Sequence, residues 1–274
     1  PNDMNSHNPL MPFLIWRLKH INDNNFTLII AGFVGILAGL AAVALKTTVH
    51  LIEQVLQNNI EVTGWKYLWV FYPVMGILLT VFIAKYLIRD STGHGISKVL
   101  YAISKRSSII RKTRMYSNML TSAITVGFGG SAGLEAPIVV TGSAIGSNLA
   151  RLAHLDYKKR TLMIGCGAAA AVSAIFNSPI AGVIFAVEVM LTDVTINKFI
   201  PILIASVCGQ LMSLILLGDD ILFSFKLTEE FSAWSTPYYL LLGLCCGAAS
   251  VYFTRMLSRT EDGIQKIKKP FARA

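Results

Sequence analysis

Residues 115–150 form an apolar run with one charged side chain in it, Glu135, and with Arg114 before it and Arg151 after it. At about 36 residues the run is close to twice what one helix needs to cross a bilayer. Basic flanks belong on the cytoplasmic side, so both ends of this run are expected on the same side. The chain must therefore enter the membrane and return. The break available is Val126 to Pro137, VGFGGSAGLEAP. Its glycines, Gly127, Gly129, Gly130 and Gly133, loosen the backbone, and Pro137 suits the first turn of a new helix. The spacing predicts one helix ending near Gly129 and another starting near Glu135. Broken helices within a membrane are tolerated where they line a cavity, and their amino ends carry positive partial charge. The stretch reads as an anion site with a carboxylate, Glu135, beside it. The structural alternative is a carboxylate that merely caps a helix start. Against it, a charge at the bilayer centre costs about 2.5–3.5 kcal/mol, and no basic residue shares the run.

The rest of the chain has the same character. Of its 274 residues 54% are hydrophobic and 14% charged, with a mean hydropathy of +0.58, where a soluble protein carries about 25% charged residues. The apolar segments are long rather than alternating, which predicts an all-α integral membrane protein with multiple crossings. No signal peptide is evident at the polar amino end, and the first residue, Pro1, is expected of a processed chain or a fragment. The net charge of +9 reflects basic cytoplasmic loops rather than nucleic-acid binding. The four cysteines, Cys166, Cys208, Cys245 and Cys246, all lie in apolar segments and have no metal-ligand spacing. No cofactor or metal is expected.

Taken in order, residues 1–25 contain an amphipathic stretch, Met11 to Ile21, suited to lying at the inner surface. Residues 26–52 make a first crossing, with Gly35 and Gly39 forming a face for close helix contact. Lys46 within it is expected to snorkel to the interface. Residues 67–88 return, with Trp65, Tyr67, Trp69 and Tyr72 as an interfacial belt. A basic region follows, containing Gly93-His94-Gly95-Ile96-Ser97 and a short apolar segment to Ile103, too short to span. That stretch is either a second helix start facing an anion or an ordinary glycine turn. Residues 161–192 repeat the hairpin, broken at Asn177-Ser178-Pro179. Glu188 at its inner end is either a proton- or ion-path residue or an interfacial carboxylate. Residues 199–217 rise to an acidic loop, and residues 237–257 descend to a basic tail. This threading puts all Lys and Arg inside except Lys46, Lys66 and Lys226.

Gly127-Phe128-Gly129-Gly130-Ser131-Ala132 fits the dinucleotide pattern G-x-G-x-x-A. That pattern needs alternating strands and helices and an acidic residue about 20 positions on, and neither is present. The chain is not expected to be an enzyme.

Three segments carry a family resemblance. GHGIS at 93–97, GLEAP at 133–137 and FNSPIAGVIFAVE at 176–188 resemble, in order and spacing, three signatures of the CLC chloride channels and chloride/proton exchangers. The resemblance runs from about residue 26 to about residue 262 and stops about halfway through the family's fold. It implies a CLC-type inverted-repeat fold with broken, partly re-entrant helices, first half only. Residues 26–236 would be the first membrane repeat, and residues 237–274 the first helix of the second repeat with a basic cytoplasmic end. It implies a chloride or similar anion held by Gly93, His94, Gly95, Ile96, Gly133, Leu134, Glu135 and Ala136, with Glu135 as the gate, in a homodimer in the plasma or inner membrane. Helices like 176–192 and 199–217 would contribute to the dimer face. There are three departures: His94 stands where the family usually has serine, Ser97 replaces a proline, and Val189 stands where many exchangers carry a second glutamate after the one matched by Glu188. Valine there resembles the family's channels. The expected function is chloride transport by a channel. The alternatives are a chloride/proton antiporter and an accessory membrane subunit without its own pore.

Overall fold

Glycine and proline punctuation sets the architecture. The computed structural model describes residues 22–63, 71–88, 95–190, 196–218 and 232–265. Among these the regular structure is helical: α1 Asp23–Thr63, α2 Tyr72–Phe82, α3 Gly95–Lys105, α4 Ser117–Gly127, α5 Glu135–Leu152, α6 Tyr157–Phe176, α7 Pro179–Phe185, α8 Ile196–Leu217 and α9 Thr236–Gln265. α2 continues as a wider π turn over Ile83–Ile88, and α7 does so over Ala186–Met190. The chain falls into two compact units, Pro1–Leu222 and Phe223–Ala274; α9 belongs to the second. The sequence expectations on Met11 to Ile21, Trp65, Tyr67, Trp69 and the acidic loop after α8 lie outside the described residues.

Among the described residues four helices, α1, α6, α8 and α9, are long and apolar enough to cross a membrane, and the α2 and α7 segments are shorter apolar helices. In the first unit α6 is the axis. Every residue from Leu162 to Ile175 is buried, and α1, α5, α7 and α8 all pack on it. Alanine and glycine fill this helix because its neighbours approach at backbone distance. The face expected on α1 is real: a Cβ on Gly39 would stand 2.8 Å from the Gly209 carbonyl oxygen on α8, and Gly35 abuts Ala205 in the same way. Large apolar side chains such as Ile29 and Phe33 of α1 and Val74 and Phe82 of α2 remain exposed, as a lipid-facing surface requires.

Two expectations need correction. Lys46 does not snorkel: it is 7% exposed, on a helix against which α4, α5, α6 and α8 all pack. The first limb of the 115–150 hairpin is not a full crossing either. α4 has 11 residues, about 16 Å of helix against a hydrocarbon core of about 30 Å. It is a partial, re-entrant limb, and α5, with 18 residues, is the longer one.

Candidate functional site: two helix starts at a glycine break

The break in the hairpin is built by Gly129 and Gly130. Gly129 has φ +85, its N–H donates to the Val126 carbonyl at 2.8 Å, and the Gly130 N–H donates to the Thr125 carbonyl at 2.9 Å. This paired 5→2 and 6→1 pattern, with a left-handed residue just past the helix, satisfies the last carbonyls of α4. The chain then runs exposed through residues 131–133, with the Ala132 N–H donating to the Gly130 carbonyl at 2.9 Å, before α5 begins at Glu135.

The start of α5 is left uncapped. The capping position is Leu134, whose side chain cannot accept a hydrogen bond, and Pro137 brings no N–H of its own. The backbone N–H groups of Glu135 and Ala136 are therefore the unsatisfied donors of this first turn. The Glu135 side chain folds back across the loop, so that a Cβ on Gly133 would collide with its Oε2. Among the described residues its carboxylate takes no hydrogen bond or ion pair. Glu135 is exposed, as are Gly133 and Ala136, with Leu134 half-buried.

The second predicted helix start is also present and lies alongside. α3 begins at Gly95. A Cβ on Gly95 would stand 3.0 Å from Val140 Cγ2, 3.8 Å from the Ala136 carbonyl oxygen and 4.0 Å from Asn118 Nδ2. Gly95 and Ile96 thus sit against the first turns of α5, about 40 residues later in sequence. Gly93 and His94 lie outside the described residues. Asn118 was not singled out in the sequence; an asparagine near a helix start gives no local signal that its amide will face another helix.

Glu188 sits on a different element, in the π turn after α7, and is exposed, while Val189 packs partly buried against the core cluster around Val139, Ile164 and Val172. Glu188 makes no described contact with Glu135. The second break is as clear as the first. Asn177 is left-handed at φ 50, the Ser178 N–H donates to the Ser173 carbonyl at 3.2 Å, and Pro179 opens α7. Among the described residues no group of three or more His, Cys, Asp or Glu is arranged to hold a metal.

Sequence and structure comparisons bear on the family and the fold. The family model described as "Voltage gated chloride channel" matches residues 76–274. The chain is 30% identical over 190 residues to "Chloride channel protein CLC-f" of Arabidopsis thaliana, a match covering 65% of this chain and 24% of that protein. It is 27% identical over 251 residues to "H(+)/Cl(-) exchange transporter ClcA" of Cronobacter sakazakii, covering 88% of this chain and 53% of that one. The crystal structure of "a slow cyanobacterial Cl-/H+ antiporter" superposes with a TM-score of 0.80 at 19% identity, covering 90% of this chain and 60% of the other. The chain therefore spans between about a quarter and 60% of the length of these proteins. Among the described residues the fold is all-helical with broken, partly re-entrant helices, and it superposes on part of that antiporter. The chain belongs to the voltage gated chloride channel family, the CLC chloride channels and proton/chloride exchangers.

Proposed function

We propose that the full-length protein carries chloride or a similar anion across the membrane as a CLC-type channel, with Glu135 as its gate. The observation that carries this reading is the start of α5: uncapped N–H groups at Glu135 and Ala136, a carboxylate on the same turn, and the start of α3 alongside at Gly95. Helix starts favour negative charge, so one position there is contested by the Glu135 carboxylate and an anion. The anion is held by residues 93–96 and 133–136, and protonation or displacement of Glu135 opens the path.

The channel reading rests on Val189, an apolar side chain at the position where a second acid would relay protons. The exchanger reading is favoured by the relatives named as H+/Cl- exchange transporters; in it Glu188 begins the proton path. The exposed apolar residues of α7 and α8, among them Ile180, Ile184, Leu211 and Ile215, support a homodimer face. The plasma or inner membrane is the proposed location.

Liposomes loaded with chloride and reconstituted with the full-length protein alone test the reading. Chloride efflux is expected. Its absence in folded, correctly inserted protein would favour an accessory subunit.

A further inference from the structure

A third helix start meets the start of α3. α4 opens at Ser117 with Tyr116 in the capping position and no side-chain cap, and the Leu120 N–H donates to the Tyr116 carbonyl at 2.9 Å. The N–H groups of Ser117, Asn118 and Met119 are therefore the unsatisfied donors of its first turn. Two side chains set this turn apart from an ordinary helix start. Ser117 is 3% exposed, and its hydroxyl is buried with no hydrogen-bond partner. The half-buried Asn118 side chain makes no hydrogen bond among the described residues. Its Nδ2 faces the start of α3, 4.0 Å from where a Cβ on Gly95 would stand, and the same position lies 3.8 Å from the Ala136 carbonyl oxygen in the first turn of α5. Buried polar groups are nearly always paired, so donors gathered here without an acceptor point to a ligand.

The turn is fixed from behind. The Thr121 hydroxyl is shared between the Ser117 carbonyl at 3.0 Å and the Asn118 carbonyl at 3.2 Å. One turn on, Thr125 Oγ1 donates to the Thr121 carbonyl at 3.0 Å and pairs with Thr80 Oγ1 of α2 at 2.9 Å. Donors that are already ordered lose little entropy when a ligand arrives. Arg114, three residues before Ser117, is engaged with a partner of its own and is not counted among the donors.

We infer that Asn118 is a direct ligand of a small monovalent anion: its amide, with the Ser117 hydroxyl and the start of α4, forms an anion position facing Gly95 and sets which anions are preferred there. The inference rests on the proposed anion path and adds to it a residue on a third helix. An anion that leaves water must be met by hydrogen-bond donors. A side-chain amide carries two and a serine hydroxyl one, and a helix start favours negative charge. Neutral donors also suit a transient occupant, since conduction needs binding weak enough to release. Without the amide, chloride, which holds its water strongly, is penalised more than thiocyanate, which holds it weakly.

The test uses the full-length protein, with chloride and thiocyanate binding read by calorimetry in detergent and efflux of each read from liposomes. Asn118→Leu is expected to bind chloride about tenfold or more weakly, the ratio that one hydrogen bond to a charged partner supplies, and thiocyanate with a smaller loss. Equal loss for both anions, or none, overturns the inference. Asn118→Asp keeps the shape of the side chain. Placed in a Glu135→Gln background, it is expected to weaken chloride binding at neutral pH and to restore it as acid protonates the introduced carboxylate, between about pH 7.5 and pH 4.5. Should Asn118→Leu not fold, this profile decides alone, and pH-independent binding overturns the inference. Efflux separates the ligand from the transport reading. Chloride binding that depends on Asn118 without wild-type efflux upholds the ligand and refutes the carrier; wild-type efflux with binding unaltered in the variants does the reverse. A wild type that binds no chloride overturns both.

Discussion

Gly142 on α5 and Gly167 on α6 meet backbone to backbone: a Cβ added to either would collide with the carbonyl oxygen of the other. Gly146 meets Met163 in the same manner one turn on. This seam holds α5, and with it Glu135, against the buried axis of the unit. Gly142→Ala and Gly167→Ala are each expected to destabilise the fold by about 1–3 kcal/mol, the cost of overpacking a tight core, and to lower the yield of monodisperse protein. Thermal stability in detergent checks this; unchanged melting in both variants would mean that the helices do not meet at this seam.

The loop 106–111 places two basic segments together. Tyr157 donates its hydroxyl to the Ile103 carbonyl at 3.1 Å, and Arg160 reaches the Ser107 carbonyl. Arg111 and Lys159 are therefore expected in the same compartment. Single cysteines at 111 and 159 should react with an impermeant reagent from one side only. Labelling from opposite sides would remove the hairpin.

Gly133→Ala is expected to leave the fold intact, because the atom its Cβ meets, Glu135 Oε2, ends a flexible side chain. The carboxylate must move instead. If it gives up a helix-start attraction of about 0.3–1 kcal/mol, chloride flux at neutral pH should rise about twofold to fivefold. Unchanged flux would mean that the Glu135 conformation over Gly133 has no part in gating.

Val189 packs against the core, whereas Glu188 is exposed. Anion flux with weak or no proton movement is therefore expected. Proteoliposomes with a pH probe measure it. Uphill proton transport driven by a chloride gradient would make the protein an exchanger and move the proton path to Glu188 or to water.

Much of the fold was legible because its breaks are chemical. Gly129 takes a left-handed conformation that few other residues accept, and Asn177 followed by Pro179 makes the second stop. Charge placement is the ground for the expected sidedness. What was not legible depends on neighbours distant in sequence. The burial of Lys46 follows from the helices packed on α1. The shortness of α4 follows from Lys112–Met115, where the chain winds as a separate 3-10 turn before the helix begins. His154, left-handed at φ 53, ends α5 with no glycine to mark the place. Asp156 caps α6 through the Lys159 N–H at 3.2 Å, a local signal that was present and passed over. At the site, Glu135 was found from its isolation in an apolar run, while Asn118 beside Gly95 is a product of the folded hairpin alone.

On the proposed mechanism the Glu135 carboxylate and an anion compete for one helix start. Acid neutralises the carboxylate, so flux through the wild-type protein should rise as pH falls. Glu135→Gln keeps the shape and removes the charge, and should carry anion at a high rate that is nearly independent of pH. The measurement is chloride efflux from liposomes between about pH 4.5 and pH 7.5, with both proteins matched for expression and monodispersity. A steep wild-type profile and a flat, elevated variant profile are predicted; two profiles that superimpose would contradict the account at its centre.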